Sequence, residues 1–234
     1  MCGRYRLSRR KQMIEEYFET ENEVDWEPRY NIAPSQPVGI IRQDPSKPKR
    51  HFSLARWGLI PSWATDASIG FKTINARSET VADKPAFRDA FVSRRCLLPA
   101  DGFFEWRRGG KEKQPFHFGM LDDSLFAFAG LWDRWKDPSG TVIESCSILT
   151  TTPNSLLADV HDRMPVILRK ESYDLWLDPG FKDGKALAEL LAPFDASQMR
   201  SFPVSRRINA VANDDPDCIV PWQSSPPAQS ALFG

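Results

Sequence analysis

Leu97-Leu98-Pro99, Gly102-Phe103-Phe104-Glu105-Trp106-Arg107, Pro115-Phe116-His117-Phe118-Gly119-Met120, Leu125-Phe126-Ala127-Phe128-Ala129-Gly130-Leu131 and Ser145-Cys146-Ser147-Ile148-Leu149-Thr150-Thr151 succeed one another through the middle of the chain. Each run is short, aromatic or β-branched, and bounded by turn residues, the pattern of a strand. No stretch between them has the length or periodicity of a crossover helix, so parallel βαβ units are disfavoured and hairpin-like connections are expected. The predicted fold is α+β: a single domain built on a mainly antiparallel, barrel-like sheet with flanking helices.

Outward from this centre, Val38 to Ile41 and Phe52 to Ile60 read as further strands, joined by the polar loop Asp44 to Arg50. Ser8 is placed to cap a helix over Arg9 to Glu19, in which Met13, Ile14, Tyr17 and Phe18 recur at spacings of three and four. Helices are also expected over Asn154 to Val160, Glu171 to Leu177 and Gly184 to Leu191. The proline-punctuated stretch Trp26 to Pro37 suits an ordered loop. Residues 223–234, QSSPPAQSALFG, have the composition of a disordered tail, so the domain is expected to span 1–222.

At 234 residues the chain can bury one core without staples. Its 41% hydrophobic and 26% charged residues are those of a globular protein in water, and no apolar run approaches the roughly 20 residues that span a bilayer. The first residues run straight into charge (Arg4, Arg6, Arg9, Arg10, Lys11) without an apolar segment, which points away from a secretory signal and towards the cytoplasm. Cys2, Cys96, Cys146 and Cys218 lie far apart and only three histidines occur, so neither a zinc cluster nor a disulfide framework is expected. Lys plus Arg equals Asp plus Glu at 31 each, and any nucleic-acid surface must therefore be a local patch.

Cys2 carries chemistry of its own. Removal of Met1 would leave an α-amine and a thiol on one residue, and such a 1,2-aminothiol traps aldehydes as a five-membered thiazolidine: the amine forms an imine and the sulfur closes on it. The second step is intramolecular, where effective molarities reach roughly 10⁵ M or more. With an α-amine near ~8 and a thiol near ~8.5, both nucleophiles are expected to be partly in reactive form at neutral pH without large shifts.

Three polar residues occupy unusual settings. Glu105 interrupts an aromatic run; it is either a buried acid–base group or a solvent-face residue paired with Arg107. His161 follows a predicted helix end, where carbonyl dipoles favour its protonated form, and is either a proton donor or a hydrogen-bonded loop residue. Asn75 can orient an amine through its amide oxygen or serve as a turn residue. Arg4, Arg56, Lys72, Arg77, Arg163, Arg206 and Arg207, with Tyr30, Trp57, Trp63, Phe103, Phe104 and Trp106, offer guanidinium groups for phosphates and rings for unpaired bases. Lys113, in a polar loop, reads as solvated.

In order along the chain, Cys2-Gly3-Arg4-Tyr5, Arg29-Tyr30-Asn31-Ile32-Ala33-Pro34, Trp57-Gly58-Leu59-Ile60-Pro61-Ser62-Trp63, Ile74-Asn75-Ala76-Arg77-Ser78-Glu79, Arg95-Cys96-Leu97, Gly102-Phe103-Phe104-Glu105-Trp106 and His161-Asp162-Arg163-Met164-Pro165 resemble the motifs of the SRAP proteins, named for association with the SOS response and for peptidase activity. The resemblance covers Met1 to about Trp222. It implies a protein that recognises abasic sites in single-stranded DNA, without a cofactor or metal, and crosslinks itself to the ring-opened aldehyde through Cys2. It implies further that Asn75 holds the amine, Glu105 shuttles protons, and His161 protonates the sugar ring oxygen. Arg4, Arg77 and Arg163 match residues on the DNA backbone, Trp63 and Pro34 those lining the bent strand, and Arg206 is a looser match. A monomer, nucleoid-associated when bound to DNA, is expected. Two alternatives stand beside this reading: an N-terminal-nucleophile peptidase and a non-covalent binder of single-stranded or modified DNA.

Overall fold

The computed structural model describes residues 2–22, 24–44, 46, 49–107 and 113–222. Met1, whose removal is expected above, and the tail 223–234 lie outside the described residues. Strands occupy β1 (Tyr5–Leu7), β2 (Thr20–Asn22), β3 (Arg29–Ile32), β4 (Pro37–Arg42), β5 (Arg50–Trp57), β6 (Asn75–Arg77) and β7 (Arg95–Ala100). They continue with β8 (Gly102–Arg107), β9 (Gln114–Met120), β10 (Phe126–Lys136), β11 (Val142–Thr151), β12 (Met164–Pro165), β13 (Ile167–Leu168) and β14 (Met199–Pro203). The helices are short: α1 (Lys11–Phe18), α2 (Arg88–Ser93), α3 (Tyr173–Leu177) and α4 (Gly184–Glu189).

The expected barrel is present and closed. β5 pairs with β4, β4 with β7, β7 with β10 and β10 with β11, all antiparallel. β11 then returns to β5 in parallel register, Ser145 opposite Arg56 and Cys146 opposite Trp57. A ring of five strands cannot alternate direction all the way round, so one contact must be parallel, and this is it. β5 stops at Trp57 because Gly58 has φ of 129°, and a Cβ there would lie 2.5 Å from the Gly70 carbonyl oxygen. The turn at 67–71 therefore sits tightly over the strand end and leads the chain into β6, which lies parallel on β11.

A second sheet, ordered β14-β9-β8-β1-β3, is antiparallel throughout. Its inner face shares one core with the barrel. The Tyr5 ring meets Trp57 and Phe128 edge-on at 5.3 and 5.6 Å, and Phe103 stacks on Phe118 while its edge reaches Phe128. Covered on both sides, the first half of β10, Phe126 to Leu131, is buried at every position instead of alternating.

The helices depart from expectation where long-range polar contacts intervene. Ser8 does not cap α1: its hydroxyl donates to Asp101 at 2.6 Å and its backbone N–H to the same carboxylate at 3.0 Å, so the helix begins at Lys11. Ile14 and Phe18 are buried, whereas Met13 is half exposed. Residues 154–160 form successive turns rather than a helix. The Asn154 side chain accepts from Leu157 N–H and donates to the Phe194 carbonyl, contacts that hold the segment in turns. The third expected helix is a 3₁₀ turn over Lys170–Ser172 continuing into α3, and the fourth is α4, capped by Asp183.

His117, on β9, is buried against the face of Phe202 (4.8 Å) and the edge of Phe104 (5.5 Å). Burial, reinforced by Arg6 and Arg200, pulls its pKa down to about 3. The unfolded chain takes up a proton near ~6.5 that the folded chain refuses, so stability falls as pH drops from about 6.5 towards 3, by at most ~1.4 kcal/mol per pH unit. His117→Phe should remove that dependence. In urea denaturation at pH 6.5 and 4.5, the wild type should lose on the order of 2 to 3 kcal/mol more than the variant; equal losses would show that the histidine is not held neutral.

Candidate active site and nucleic-acid interface

The register between β1 and β8 brings the first residues of the chain to Glu105. Tyr5 lies opposite Phe103 and Arg6 opposite Gly102, and Phe104 N–H donates to the Arg4 carbonyl at 3.0 Å, so continuing towards the N-terminus carries Cys2 alongside Glu105 and Trp106. Strand alternation turns Glu105 to the same side as core residue Phe103, and it is only 3% exposed. The solvent-face alternative is thereby excluded. Arg107, one residue past Trp106, is exposed.

Cys2 is fully buried, and its thiol is pushed far above its ordinary range, first by burial and then by the negative charge of Glu105. Both effects oppose the expectation of a thiol partly ionised at neutral pH. Bringing a cation beside it is the change that would release the proton.

His161, 8% exposed, follows the turns after β11. Its Nε2 lies 4.0 Å from Glu105 Oε2. On the other side of the ring, Nδ1 accepts the Arg163 backbone N–H at 3.0 Å and faces Asp162 Oδ1 at 2.9 Å. The neutral ring with Nδ1 as acceptor carries its proton on Nε2, towards Glu105, and the protonated ring gains Asp162 as a partner. Both states have a place.

Asn75 opens β6, opposite Ile148 of β11. Among the described residues neither its amide nitrogen nor its amide oxygen has a hydrogen-bond partner, although both atoms are buried. Leaving such groups unpaired costs about 1–3 kcal/mol, and nothing in the fold accounts for it. Arg163 ties this strand's far end to the His161 turn: it grips Glu79 with two bonds of 2.6 and 2.9 Å and donates to the Thr150 carbonyl at 2.6 Å.

A cleft of about 450 Å³ opens over the group, lined by Arg4, Glu105, Trp106, Lys113, His161 and Asn209. A roomier cleft of about 720 Å³ lies beside α1, but no cysteine or histidine lines it. Arg4 stands 5.7 Å from the centre of the Trp106 ring and is held by the Asn31 side chain and the Ile208 carbonyl, at 2.7 and 2.6 Å. Burial lowers its pKa, yet it has no carboxylate partner among the described residues. Arg77 is exposed and likewise lacks one there. A half-buried, uncompensated guanidinium is a ready site for an anion.

The structure thus gathers Glu105, His161 and Arg4 at one cleft, with Cys2 buried near Glu105, and sets Asn75 and Arg77 on β6. Trp63, 55% exposed, lies outside this cleft in the loop after β5, where it lines a shallow depression of about 230 Å³ with Lys72. Pro34 sits in the loop that Ser35 and Gln36 bind to Trp57. Arg206 is exposed at the start of the 3₁₀ turn Arg206–Asn209. Lys113, expected to be solvated, is exposed but lines the cleft just before β9, and Asn209, which the sequence did not single out, enters it through the 3₁₀ turn Arg206–Asn209. Among the described residues no three His, Cys, Asp or Glu side chains gather into a metal cluster.

Residues 1–211 match the family described as SOS response associated peptidase (SRAP). The chain is 44% identical over 223 residues to abasic site processing protein YoqW of Bacillus subtilis (strain 168), covering 94% of this chain and 99% of that one. It is 31% identical to abasic site processing protein HMCES of Xenopus tropicalis, over 88% of this chain and 70% of that one. Its fold is similar to a crystal structure of a protein from Bacteroides thetaiotaomicron, with TM-score 0.87 and 29% identity, covering 95% of this chain and all of the other.

The buried thiol has a direct consequence in the free protein. At pH 7.5, iodoacetamide should label Cys2 at least tenfold more slowly than in the denatured chain, followed by peptide mass spectrometry, and Glu105→Gln should move the labelling profile to lower pH. Labelling as fast as in the denatured chain would contradict the burial, and a profile unmoved by the substitution would uncouple Glu105 from the sulfur.

Proposed function

The chain belongs to the SRAP family, and from its site we propose that it processes abasic sites in single-stranded DNA, working as a cytoplasmic monomer that joins the nucleoid through its substrate. In this reading Cys2, once Met1 is removed, captures the ring-opened sugar as a thiazolidine. One observation carries it: a buried carboxylate, Glu105, close to both the Cys2 thiol and the His161 imidazole, beneath a cleft rimmed by Arg4, Trp106 and Lys113. The names of the related proteins, given for abasic-site processing, support the substrate.

The residues divide the work. Protonated His161 gives its Nε2 proton to the sugar ring oxygen as the hemiacetal C–O bond breaks, and Glu105 takes the proton of the anomeric hydroxyl, which becomes the aldehyde. The Cys2 amine, oriented by the Asn75 amide, attacks the aldehyde carbon; Glu105 gives the proton it holds to the new alkoxide as it takes one from nitrogen, then gives that proton to the hydroxyl, which departs as water and leaves the iminium. The iminium so formed places a positive charge beside the sulfur, opposing the burial that kept it protonated. The thiol proton goes to Glu105, sulfur bonds to the imine carbon, and the ring closes. A peptidase would need the thiolate at the outset, which burial and Glu105 oppose.

Among the described residues Arg4 and Arg77 have no carboxylate to give up, and Arg206 is exposed beyond the cleft. Arg163 reaches a phosphate only by trading away Glu79. Trp63 and Pro34 line the path on which bases unstack, a deformation that costs less at a nucleotide without a base.

Intact mass spectrometry after mixing with a single-stranded oligonucleotide carrying one abasic site tests the chemistry. The expected product is protein lacking Met1, plus oligonucleotide, minus one water, surviving denaturant without borohydride. A processed terminus with no covalent product would rule it out. Cys2→Ser should retain only a weak, borohydride-dependent adduct, and Glu105→Gln should form adduct more slowly with little loss of affinity.

For the encounter before the covalent step, contacts by Arg4 and Arg77 predict a slope of log K against log salt of about −1.4, and a third contact by Arg163 would steepen it to about −2. A slope near zero would remove the arginines from the interface.

A further inference from the structure

Asn31 takes no part in the chemistry above, yet it makes the densest side-chain network beside the cleft. It is fully buried on β3. Its Nδ2 donates to the carbonyls of Ile208 (3.2 Å), Ala210 (3.1 Å) and Asn213 (2.6 Å), and its Oδ1 accepts from Arg4 Nη1 at 2.7 Å. Arg4 Nη1 also donates to the Ile208 carbonyl, so the two side chains share one acceptor. Asp214 closes the clamp from the far end, its Oδ1 accepting the backbone N–H groups of Tyr30 and Asn31 at 2.5 and 2.9 Å while Oδ2 pairs with Arg29.

The clamped segment has little regular structure to hold it: a 3₁₀ turn over Arg206–Asn209, with only Ile208 buried. It nevertheless forms one wall of the cleft, where Asn209 Oδ1 accepts from Trp106 Nε1 at 2.8 Å beneath the Arg4 guanidinium. Every carbonyl that Asn31 engages would otherwise need another donor.

We propose that Asn31 is a positioning residue that fixes Arg4 and the 206–213 segment as one preformed wall for the DNA backbone, and that its neutrality is as important as its shape. An amide holds the guanidinium without compensating its charge, leaving that charge for a phosphate. An aspartate would satisfy Arg4 equally well in geometry while neutralising it and repelling three carbonyls. This inference rests on the reading that the cleft takes DNA.

Asn31→Asp and Asn31→Ala separate the parts. For Asn31→Asp, the half-saturating concentration of abasic oligonucleotide should rise at least tenfold and the salt slope become shallower by about 0.7, one phosphate contact. The rate of adduct formation at saturating DNA should stay within threefold. Asn31→Ala should weaken binding with the slope retained. Backbone amides of 208–213 should exchange hydrogen faster in both. Half-saturation within twofold of wild type in both variants, with slope unchanged, would overturn the proposal. Should both fail to fold, Asp214→Asn, which loosens the clamp from its more exposed end, should show faster exchange at 208–213 and weaker binding, and unchanged values there would overturn it equally. Wild-type protein that neither binds nor crosslinks the oligonucleotide would instead sink the DNA reading, while exchange at 208–213 would still decide whether Asn31 holds the segment.

Discussion

The parallel contact between β5 and β11 is what the remainder of the structure depends on. It closes the barrel, and it does so with few residues: Ser145 and Cys146 against Arg56 and Trp57, backed by the Gly58 N–H on the Cys146 carbonyl at 2.8 Å. Directly beyond it the chain turns over the strand end, and β6 is laid along β11 in the same direction. Asn75 and Arg77 are thus delivered by the closure itself. The far end of β11 carries β12 and the turn that holds His161, so Asn75 and His161, which both come from outside the second sheet, are set by one strand.

The second sheet supplies the other half. β1 and β8 bring Cys2 and Glu105 together by register, and the aromatic contacts of Tyr5 and Phe103 with Phe128 keep that register aligned with the barrel. At the two ends of β1, buried polar groups do the fine placement: Asp101 draws in Ser8, Arg6 and Arg9, and Asn31 draws in Arg4. Networks of this kind are costly if half-satisfied, which makes them strong selectors of a single arrangement. Hydrophobic burial gives the fold its stability here, and these polar contacts give it its alignment.

β4, β5 and β7 to β11 were legible in the sequence because aromatic and β-branched runs between turn residues have few other uses, whereas the short β1, β2, β6 and β12 to β14 carry no such run, and β3 lies within the stretch Trp26 to Pro37 expected to be a loop. The antiparallel, barrel-like class followed from the lack of crossover helices, but the parallel closing contact did not, since pairing between distant strands leaves no local mark. Glu105 illustrates the boundary: its place in an aromatic run flagged it, whereas its burial required the pairing of β8 with β1. Local periodicity placed α1 but not its start, because Asp101, over ninety residues away, claims Ser8. At 154–160 the spacing suggests a helix, but the Asn154 side chain is engaged by the Phe194 carbonyl, forty residues away, and the segment turns instead. Asn31, Lys113 and Asn209 belong to the cleft only through tertiary placement. Ordered motifs revealed which segments matter; they did not reveal that Arg163 is held by Glu79 or that the Cys2 thiol is buried.

That burial bears on how long a captured lesion would last. A sulfur that is disfavoured as an anion is also a poor leaving group, since reopening the five-membered ring by that route regenerates the charge the pocket resists. Departure as a neutral thiol needs a proton delivered from Glu105 in step with bond breaking. Under the proposed capture one feature would therefore act in both directions in time: it would keep the nucleophile dormant towards stray electrophiles before a substrate arrives, and slow release afterwards. Latency and persistence would be two sides of the same solvation cost.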